Sequence, residues 1–323
     1  MKSSRFPLAL LLLALLAPLS ASAQFGPFPV FTRQASFEAE IVKRDKDVLW
    51  VRRKASDGRY MPQIGIAVSD VVGIRMPRPP AFDGIEKVRA NPASAETHFK
   101  AAHAALDRII AQTRSLRDIP GVPAEEAILL KGRLFDRQNM PREAVRQYEN
   151  VLANAKPSPI VTNAQILAGI AYAKLGDFQF AVEYLHGMPP LEEDDEILSA
   201  QLFALGDSYL ALGNVDQALL SYLSLVVFHP FVHNNEPRAL AAALACYAKL
   251  GEWEPLYRNV QEIQKHYPDT PAAKTAEEFL VKYKDELANA GQFVDAAKIT
   301  SADAPASPSP ATPASTNSSS NAP

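Results

Sequence analysis

The residues whose types best suit metal chemistry are two histidines and one acidic run. His229 and His233 are four residues apart, as in a helical metal pair, but Pro230 stands between them and the stretch connects two helices. The acidic run LEEDDE at 191–196 lacks the alternating ligands and the central glycine of a calcium loop. We therefore expect neither to bind a metal, and we expect the acidic run to be solvated at the start of the next helix.

Groups for covalent or phosphate chemistry are equally scarce. Cys246 is the only cysteine, and it lies in the apolar helical run LAAALACYAKL, which favours a buried, unreactive thiol. The sequence contains no glycine-rich phosphate loop and no G-x-S-x-G, H-E-x-x-H or C-x-x-C motif. It therefore predicts a non-catalytic protein that needs no cofactor. An enzyme built on scattered residues is the minor alternative.

The overall composition limits the class of partner. The chain has 323 residues, of which 47% are hydrophobic and 21% are charged, values that are ordinary for a globular protein. Its formal net charge is −3 and its pI is about 6.1. Proteins that bind nucleic acids through their charge are usually strongly basic. We therefore expect no nucleic-acid partner.

The first 23 residues have the pattern of an export signal. Lys2 and Arg5 precede an apolar stretch at 7–19, and the A-x-A sequence at 21–23 is typical of a cleavage site. The apolar stretch is short for a stable membrane span, although an uncleaved anchor is the alternative. We predict that 1–23 is a signal peptide, that the protein is periplasmic or extracellular, and that no integral membrane segment remains after cleavage.

Residues 36–80 show the alternation of short β-strands. SFEAEIV, DVLWVRR, QIGIAV and DVVGIRM are separated by polar turns, and PRPP ends the series. Four or five short strands in so few residues favour a small antiparallel, barrel-like domain. We expect this β domain at 36–80, preceded by an irregular lead-in at 24–35.

The last part of this β domain resembles a known class of small barrel. The stretch IAVSDVVGIRMPRP, a strand, a polar turn and a strand that ends in proline, is similar to SH3-like and Sm-like barrels. In Sm-like RNA chaperones the resemblance would imply an RNA-contacting Lys-His pair near Ile66 and Ala67, and this pair is absent. The resemblance therefore implies a barrel-like fold but no RNA binding.

Helical periodicity begins at about residue 92, and an internal repeat follows. YAKLGDFQFA at 172–181, YLALGNVDQA at 209–218 and YAKLGEWEPL at 247–256 are nearly alike, and their Leu-Gly glycines are 37 and 38 residues apart. The same period recurs in three further columns: small residues at Gly132, Gly169 and Gly206, aromatic residues at Phe135, Tyr172, Tyr209 and Tyr247, and alanines at Ala144, Ala181 and Ala218. These columns predict repeated helix pairs.

Each column has a physical reason in a helix pair. A small residue lets the first helix approach its partner closely, and the glycine of Leu-Gly ends that helix in the left-handed conformation. The alanine lies in the second helix and faces the small residue. Tyr148 and Tyr222 follow their alanines by four residues, one helical turn on, and add apolar bulk.

This pattern is similar to the tetratricopeptide repeat. Residues 199–232 meet it almost fully, 125–158 and 162–188 meet it well, and 237–270 meet it in part. The resemblance implies a mostly α fold, in which a helix-pair solenoid of about four repeats and a capping helix spans 124–290 and follows the β domain. Two segments lie outside the solenoid: a bridging helix or degenerate repeat at 92–118, and a disordered Ser/Pro/Ala tail at 300–323.

The resemblance also implies a binding groove lined by the first helices, and hence a scaffold that binds a protein or peptide. By register, the predicted groove contains Leu129, Arg133, Arg137, Ile166, Ile170, Lys174, Phe203, Asp207 and Lys249. Cations beside apolar residues favour a partner segment that carries acidic groups. The alternative is a cell-envelope assembly factor that acts through the β domain, by anchoring to the cell wall or to a complex.

Overall fold

A computed structural model of the chain describes residues 26–191, 195–229 and 235–291. The predicted signal peptide at 1–23, the predicted tail at 300–323 and His233 lie outside the described residues. The described chain begins with an antiparallel sheet and continues as packed helices to its end. The fold is therefore mostly α, with a β portion at the N-terminal side.

The β portion is one five-stranded sheet in the order β4-β3-β2-β1-β5, and all neighbouring strands are antiparallel. The strands are β1 (Phe28–Thr32), β2 (Ser36–Asp45), β3 (Val48–Lys54), β4 (Tyr60–Ala67) and β5 (Val71–Ile74). Alternate residues of β2 and β3, among them Ile41 and Leu49, are buried on one face of the sheet. Strands β4 and β5 are its edges, and closure into a barrel stays a prediction.

The prediction of an irregular lead-in at 24–35 is wrong for Phe28–Thr32. This segment is β1, which pairs with β2 on one side and β5 on the other, and its Val30 is fully buried. The strand is difficult to recognise from the sequence because Pro27 and Pro29 interrupt its alternating pattern, and proline is unusual inside a sheet.

A loop from the helical part completes this sheet. The amide of Ile74 on β5 donates to the carbonyl of Pro120 at 2.9 Å. Leu116, Ile119 and Val122 join the buried face of the sheet. The segment RDIPGVP at 117–123, which precedes the first predicted repeat, is therefore a packed element that joins the sheet and the helices.

Charged side chains hold the same junction. Arg44 on β2 makes a two-pronged ion pair with Asp118, in which Nη2 donates to Oδ2 at 3.0 Å. Burial of the Asp118 carboxylate opposes ionisation, but the hydrogen bond and charge of Arg44 outweigh it, and the pKa of Asp118 is lowered. Arg117 donates to Glu125 at 2.7 Å and to Asn150 at 3.0 Å. These contacts fix the sheet on the first helices.

Twelve α-helices lie within the described ranges, and they pack mainly on their neighbours in the chain. They are α1 (Ala81–Ala90), α2 (Glu96–Thr113), α3 (Ala124–Arg137), α4 (Pro141–Asn154), α5 (Pro159–Leu175), α6 (Phe178–Leu185), α7 (Asp195–Ala211), α8 (Val215–Phe228), α9 (Glu236–Leu250), α10 (Trp253–His266), α11 (Pro271–Lys282) and α12 (Lys284–Asn289). The pairs α3/α4, α5/α6, α7/α8 and α9/α10 form a stacked series, and α11 and α12 close it. This is the predicted helix-pair solenoid.

The first helix of a pair ends at a residue in the left-handed conformation. Gly176 and Gly251 end α5 and α9 with φ of +80° and +72°, the left-handed conformation that glycine adopts cheaply. Asn139 stands at the same place after α3 and has φ +57°. Asparagine tolerates this conformation better than most residues, so the first repeat keeps the turn without glycine.

The helices α1 and α2 form a leading pair. Phe82 and Ile85 of α1 and Leu106 of α2 share one buried cluster with Leu134 of α3. Both helices therefore pack on α3, as the two helices of one repeat pack on the first helix of the next. Of these two helices, only α2 lies in the predicted segment 92–118, and α1 is an additional element.

Candidate functional site

The first helices enclose a pocket of about 240 Å³. Its lining comes from α1, α3, α5 and α7: Arg89, Arg133, Asp136, Arg137, Leu167, Ile170, Lys174, Glu196, Ile197 and Ala200. We call this the basic pocket. It brings together four of the nine predicted groove residues: Arg133, Arg137, Ile170 and Lys174.

Helix geometry and the repeat explain why these four residues meet. Arg133 and Arg137 are four apart on α3, and Ile170 and Lys174 are four apart on α5, so each pair lies on one helix face. The two pairs are offset by one repeat of 37 residues. Equivalent faces of successive first helices therefore line the same side of the stack.

Asp136 organises one side of the pocket. Its Oδ1 accepts a hydrogen bond from Nζ of Lys174 at 3.0 Å, and its Oδ2 accepts one from the hydroxyl of Tyr148 at 2.6 Å. Burial of Tyr148 and then the charge of Asp136 raise the pKa of the tyrosine, so it remains a neutral donor. Lys174 is about half exposed, and its ammonium stays accessible at the pocket mouth.

Glu86 does not line the pocket, but it pairs with the two arginines on the other side of it. Its Oε2 accepts a hydrogen bond from Nε of Arg89 at 2.7 Å, and its Oε1 lies 3.5 Å from Nη1 of Arg133. Nη1 of Arg89 also lies 3.8 Å from Oε2 of Glu196, across the pocket. Both guanidinium groups are mostly covered by protein, which fixes their positions.

Arg137 differs from the other three cations of the pocket. It is exposed, and it forms no ion pair within the described part of the chain. Four cations therefore face three carboxylates, over a floor formed by Leu167, Ile170, Ile197 and Ala200. Such a surface is suited to an acidic side chain that is flanked by apolar groups.

Five predicted groove residues lie elsewhere. Leu129, Ile166 and Phe203 are buried in the helix-pair core, and the guanidinium of Arg238 lies 3.7 Å from the Phe203 ring centroid. Ile170 is also buried, but it lines the floor of the basic pocket and these three residues do not, so their assignment to the groove is corrected. They precede the small residue of each pair by three positions, a place where neighbouring helices close over the side chain.

The other two predicted groove residues are accessible but lie outside the basic pocket. Asp207 is exposed, and its Oδ1 accepts a hydrogen bond from the hydroxyl of Tyr222 at 2.6 Å. Lys249 is exposed near the end of α9. By register, Asp207 takes the place of Ile170 one repeat later, and Lys249 takes the place of Lys174 two repeats later.

Sequence reasoning missed Arg89 because it missed α1. The signal was present: Phe82, Ile85 and Val88 are spaced by three residues, and all are buried. Glu196, Ile197 and Ala200 were also missed, because they precede the aligned columns of the third pair by one turn or more. The pocket therefore includes more of α7 than the register predicts.

Of the residues that the sequence suggests for chemistry, His233 and residues 192–194 of the acidic run lie outside the described part of the chain. Cys246 is buried, and this burial raises the pKa of its thiol to about 11. Within 26–191, 195–229 and 235–291, no group of three or more His, Cys, Asp and Glu side chains is arranged to hold a metal ion. None of the helices in these ranges is both long enough and apolar enough to cross a membrane.

Comparison with known proteins identifies one repeat by sequence. The sequence pattern of the tetratricopeptide repeat family matches residues 202–231, a range that includes the last part of α7 and all of α8. A comparison with curated proteins finds no significant match. The matched residues and the packing of the four pairs agree in assigning a tetratricopeptide-type solenoid.

Three solved structures illustrate the level of structural similarity. MamA of AMB-1 is 18% identical, with 61% of this chain and 87% of MamA covered and a TM-score of 0.40. BtubC from P. vanneervenii is 16% identical, with 73% and 88% covered and a TM-score of 0.44. PilW, a type IV pilus biogenesis factor, is 17% identical, with 60% and 88% covered and a TM-score of 0.38. At these values the similarity carries no inference about function.

Proposed function

We propose that the protein is a non-catalytic, exported scaffold that binds an acidic segment of a partner protein in the basic pocket. The observation that supports this is the convergence of four cations from three successive first helices over an apolar floor. Helix-pair solenoids commonly bind extended or helical segments on the face formed by their first helices. The basic pocket lies on that face.

The arrangement of charge favours a particular kind of segment. Arg89 and Arg133 are held by Glu86, so their positions are set before a partner arrives. Arg137 and Lys174 are more exposed and are suited to attracting an acidic segment from a distance. An acidic residue with an apolar neighbour would place its carboxylate among these cations and its neighbour on the floor.

Export is part of the proposal and rests on the sequence pattern at 1–23. The partner would then be a protein of the cell envelope or the exterior. We expect the exported protein to begin at or near Gln24. N-terminal sequencing of protein recovered outside the cytoplasm tests this. A chain that begins at Met1 would contradict export with cleavage of a signal peptide.

The test of the pocket starts with crosslinking in the native compartment and identification of the partner. The affinity of this partner is then measured for the parent and for the triple variant Arg133→Ser, Arg137→Ser and Lys174→Ser at two ionic strengths. We expect weaker binding, mainly through a slower on-rate, and a larger effect at low salt.

A matched control removes three exposed cations from second helices: Arg142→Ser, Arg146→Ser and Arg258→Ser. This variant changes the net charge equally but leaves the basic pocket intact. We expect it to bind nearly as the parent does. Unchanged affinity of the pocket variant at both ionic strengths would contradict the proposal and would favour the β portion as the binding surface.

The second candidate function, envelope assembly through the sheet, is favoured by strand β4. This edge strand carries no charged residue, and Tyr60, Met61 and Ile64 are exposed on it. Exposed apolar edge strands readily pair with other chains. Loss of partner capture by Met61→Lys and Ile64→Lys, with retention by the pocket variant, would favour this function.

A further inference from the structure

The two edges of the five-stranded sheet differ in whether the chain covers them. At the β5 edge, the amide of Ile74 donates to the carbonyl of Pro120 at 2.9 Å, and the amide of Met76 donates to the carbonyl of Gly121 at 3.4 Å. At the β4 edge, no strand within the described ranges pairs with the side of β4 that faces away from β3. The sheet therefore has one edge to which a further strand can add.

The backbone groups that β4 presents at this edge follow from its pairing with β3. The amide of Val68, directly after β4, donates to the carbonyl of Asp47 at 2.8 Å. The peptide groups of an antiparallel strand point alternately towards one neighbour and towards the other. Those of Ile64 and Ile66 therefore point towards β3. The alternate residues point out of the sheet: Gln63, Gly65 and Ala67.

This part of β4 lacks the features by which edge strands usually prevent pairing. Lysine, proline and bulges at an edge discourage an added strand. Pro62 lies near the start of β4, where its register with β3 shifts between Arg52 and Lys54. Residues 63–67, which follow, contain neither proline nor a charged side chain. We call residues 63–67 the open edge.

The sequence of the open edge is nearly the same in both directions. Residues 63–67 are QIGIA, with an isoleucine on each side of Gly65. A second copy that runs antiparallel, with a two-fold axis at Gly65, would place Ile64 of one copy opposite Ile66 of the other. Ile64 is 40% exposed and Ile66 is half-buried, so this pairing covers apolar surface that the single chain leaves in solvent. Because the open edge carries no charge, it meets its own copy without repulsion.

We propose that the open edge is a homodimer interface in which β4 pairs antiparallel with β4 of a second copy. The two copies of Gly65 form the central pair, and Gln63 of each copy pairs with Ala67 of the other. Each of these three pairs exchanges two backbone hydrogen bonds. Since the β5 edge is closed by the chain itself, assembly stops at two copies and does not continue into a fibre.

The dimer is independent of the basic pocket, which lies on the first helices. It does compete with envelope assembly through the sheet, because a second copy occupies the strand that this alternative requires. Dimerisation of the purified protein therefore tests the inference without any partner, and partner capture is measured separately.

Proline at residue 67 removes one outward-pointing amide and leaves the pairing of β4 with β3 intact. Ala67 has φ −61°, the value to which proline is restricted. Ala67→Pro should raise the dimer dissociation constant at least about tenfold, because two hydrogen bonds are lost per dimer. Ala67→Ser is the matched control, since it keeps the amide, and it should dimerise as the parent does. Sedimentation equilibrium of the chain from residue 24 onward measures both variants, since this form keeps every described residue.

Crosslinking with two cysteine variants tests the axis at Gly65. In the proposed dimer, the Cα atoms of Gln63 in one copy and Ala67 in the other are about 5.5 Å apart, within reach of a disulfide. Identical positions are offset by four residues along the strands, about 14 Å, which is beyond that reach. A mixture of Gln63→Cys and Ala67→Cys should therefore form a disulfide-linked dimer, whereas either variant alone should not. The native Cys246 is buried, so the parent provides a low background.

The proposal would be overturned by a parent that stays monomeric up to about 1 mM, or by equal dissociation constants for Ala67→Pro and Ala67→Ser. Crosslinking of either cysteine variant alone as fast as the mixture would also overturn it. Circular dichroism checks that Ala67→Pro keeps its fold, and the cysteine variants decide the question if it does not. A monomeric parent whose capture of a partner is lost in Ala67→Pro would assign the open edge to that partner and not to a second copy.

Discussion

The ring of Tyr222 lies directly against the backbone of Gly206. A Cβ at Gly206 would stand 2.5 Å from Cε1 of Tyr222, closer than real carbon atoms approach. The same relationship recurs one pair earlier in the stack, where a Cβ at Gly169 would meet Cγ of Leu185 at 2.5 Å. The glycine therefore determines how closely the two helices of a pair approach.

This relationship predicts the effect of adding bulk. Gly206→Leu should destabilise the protein by about 1–3 kcal/mol, because the fully buried Tyr222 ring has no space into which to move. The measurement is the free energy of unfolding in denaturant. Ala211→Leu is the control, since Ala211 is exposed on the same helix. Equal stability of Gly206→Leu and the parent would show that the helices separate without cost.

The fourth pair shows that total volume at this contact matters more than the glycine itself. Leu244 of α9 stands at the glycine position, and Val260 of α10 stands at the tyrosine position, and both are buried in one cluster. In the fourth pair the first helix therefore carries the larger of the two side chains, whereas in the third pair the second helix does. The sequence columns show this exchange as an atypical last repeat, and packing explains it.

The sequence columns predicted the helix pairs well because a regular solenoid repeats the same contacts at the same spacing. The columns were less successful in distinguishing core residues from groove residues. Leu129 and Ile166 lie near the border of the two on a helical wheel, and the neighbouring helix decides which side is covered. Register alone contains no information about how far that neighbour extends.

Elements that occur once were harder to predict than elements that repeat. Strand β1 is interrupted by prolines, and helix α1 is short, with only three buried residues to mark its inner face. Neither recurs in the sequence at the 37-residue period, so neither could be aligned with the repeat columns. Arg89 of the basic pocket was missed for this reason.

The Arg44–Asp118 ion pair predicts an acid-dependent junction. The folded state lowers the pKa of Asp118, so its contribution to stability is present above the ordinary pKa of about 3.9 and is lost as pH falls through the lower folded value. Asp118→Asn should therefore be less stable than the parent near neutral pH. The difference should disappear in strong acid.

Chemical denaturation between about pH 7 and pH 2 measures this dependence. Arg44→Met removes the partner of Asp118, so it should flatten the same part of the pH profile. A difference between parent and Asp118→Asn that stays constant across this range would contradict the assignment of the effect to the ion pair.

Burial of Cys246 predicts a thiol that is unreactive in the folded protein. Its pKa is raised to about 11, so the thiolate that attacks alkylating reagents is scarce at pH 8. Labelling by iodoacetamide should proceed only as fast as the chain unfolds, and denaturant should make it rapid. Fast labelling without denaturant would show that the α9 environment opens readily.

The raised pKa of Cys246 also predicts the direction in which folding stability changes at alkaline pH. The folded pKa of Cys246 lies above the ordinary value of about 8.5, so its contribution to stability is present below that pH and is lost as pH rises towards 11. Cys246→Ala removes this titration, and its stability should fall less steeply above about pH 8.5 than that of the parent. Parallel profiles would indicate that the thiol does not titrate differently in the two states.

Removal of the negative charge of Glu196 also tests the basic pocket, because its effect on partner binding should be opposite to that of removing a cation. Glu196 is exposed at the pocket edge, 3.8 Å from Arg89. Glu196→Gln preserves the size of the side chain and removes its negative charge. If an acidic segment binds in the pocket, this change should strengthen binding by about two- to fivefold, mostly through a faster on-rate at low salt. Glu183→Gln on α6 is the control, since it makes the same change outside the pocket. Weaker binding by Glu196→Gln, or an equal gain from Glu183→Gln, would mean that the pocket does not receive the acidic segment.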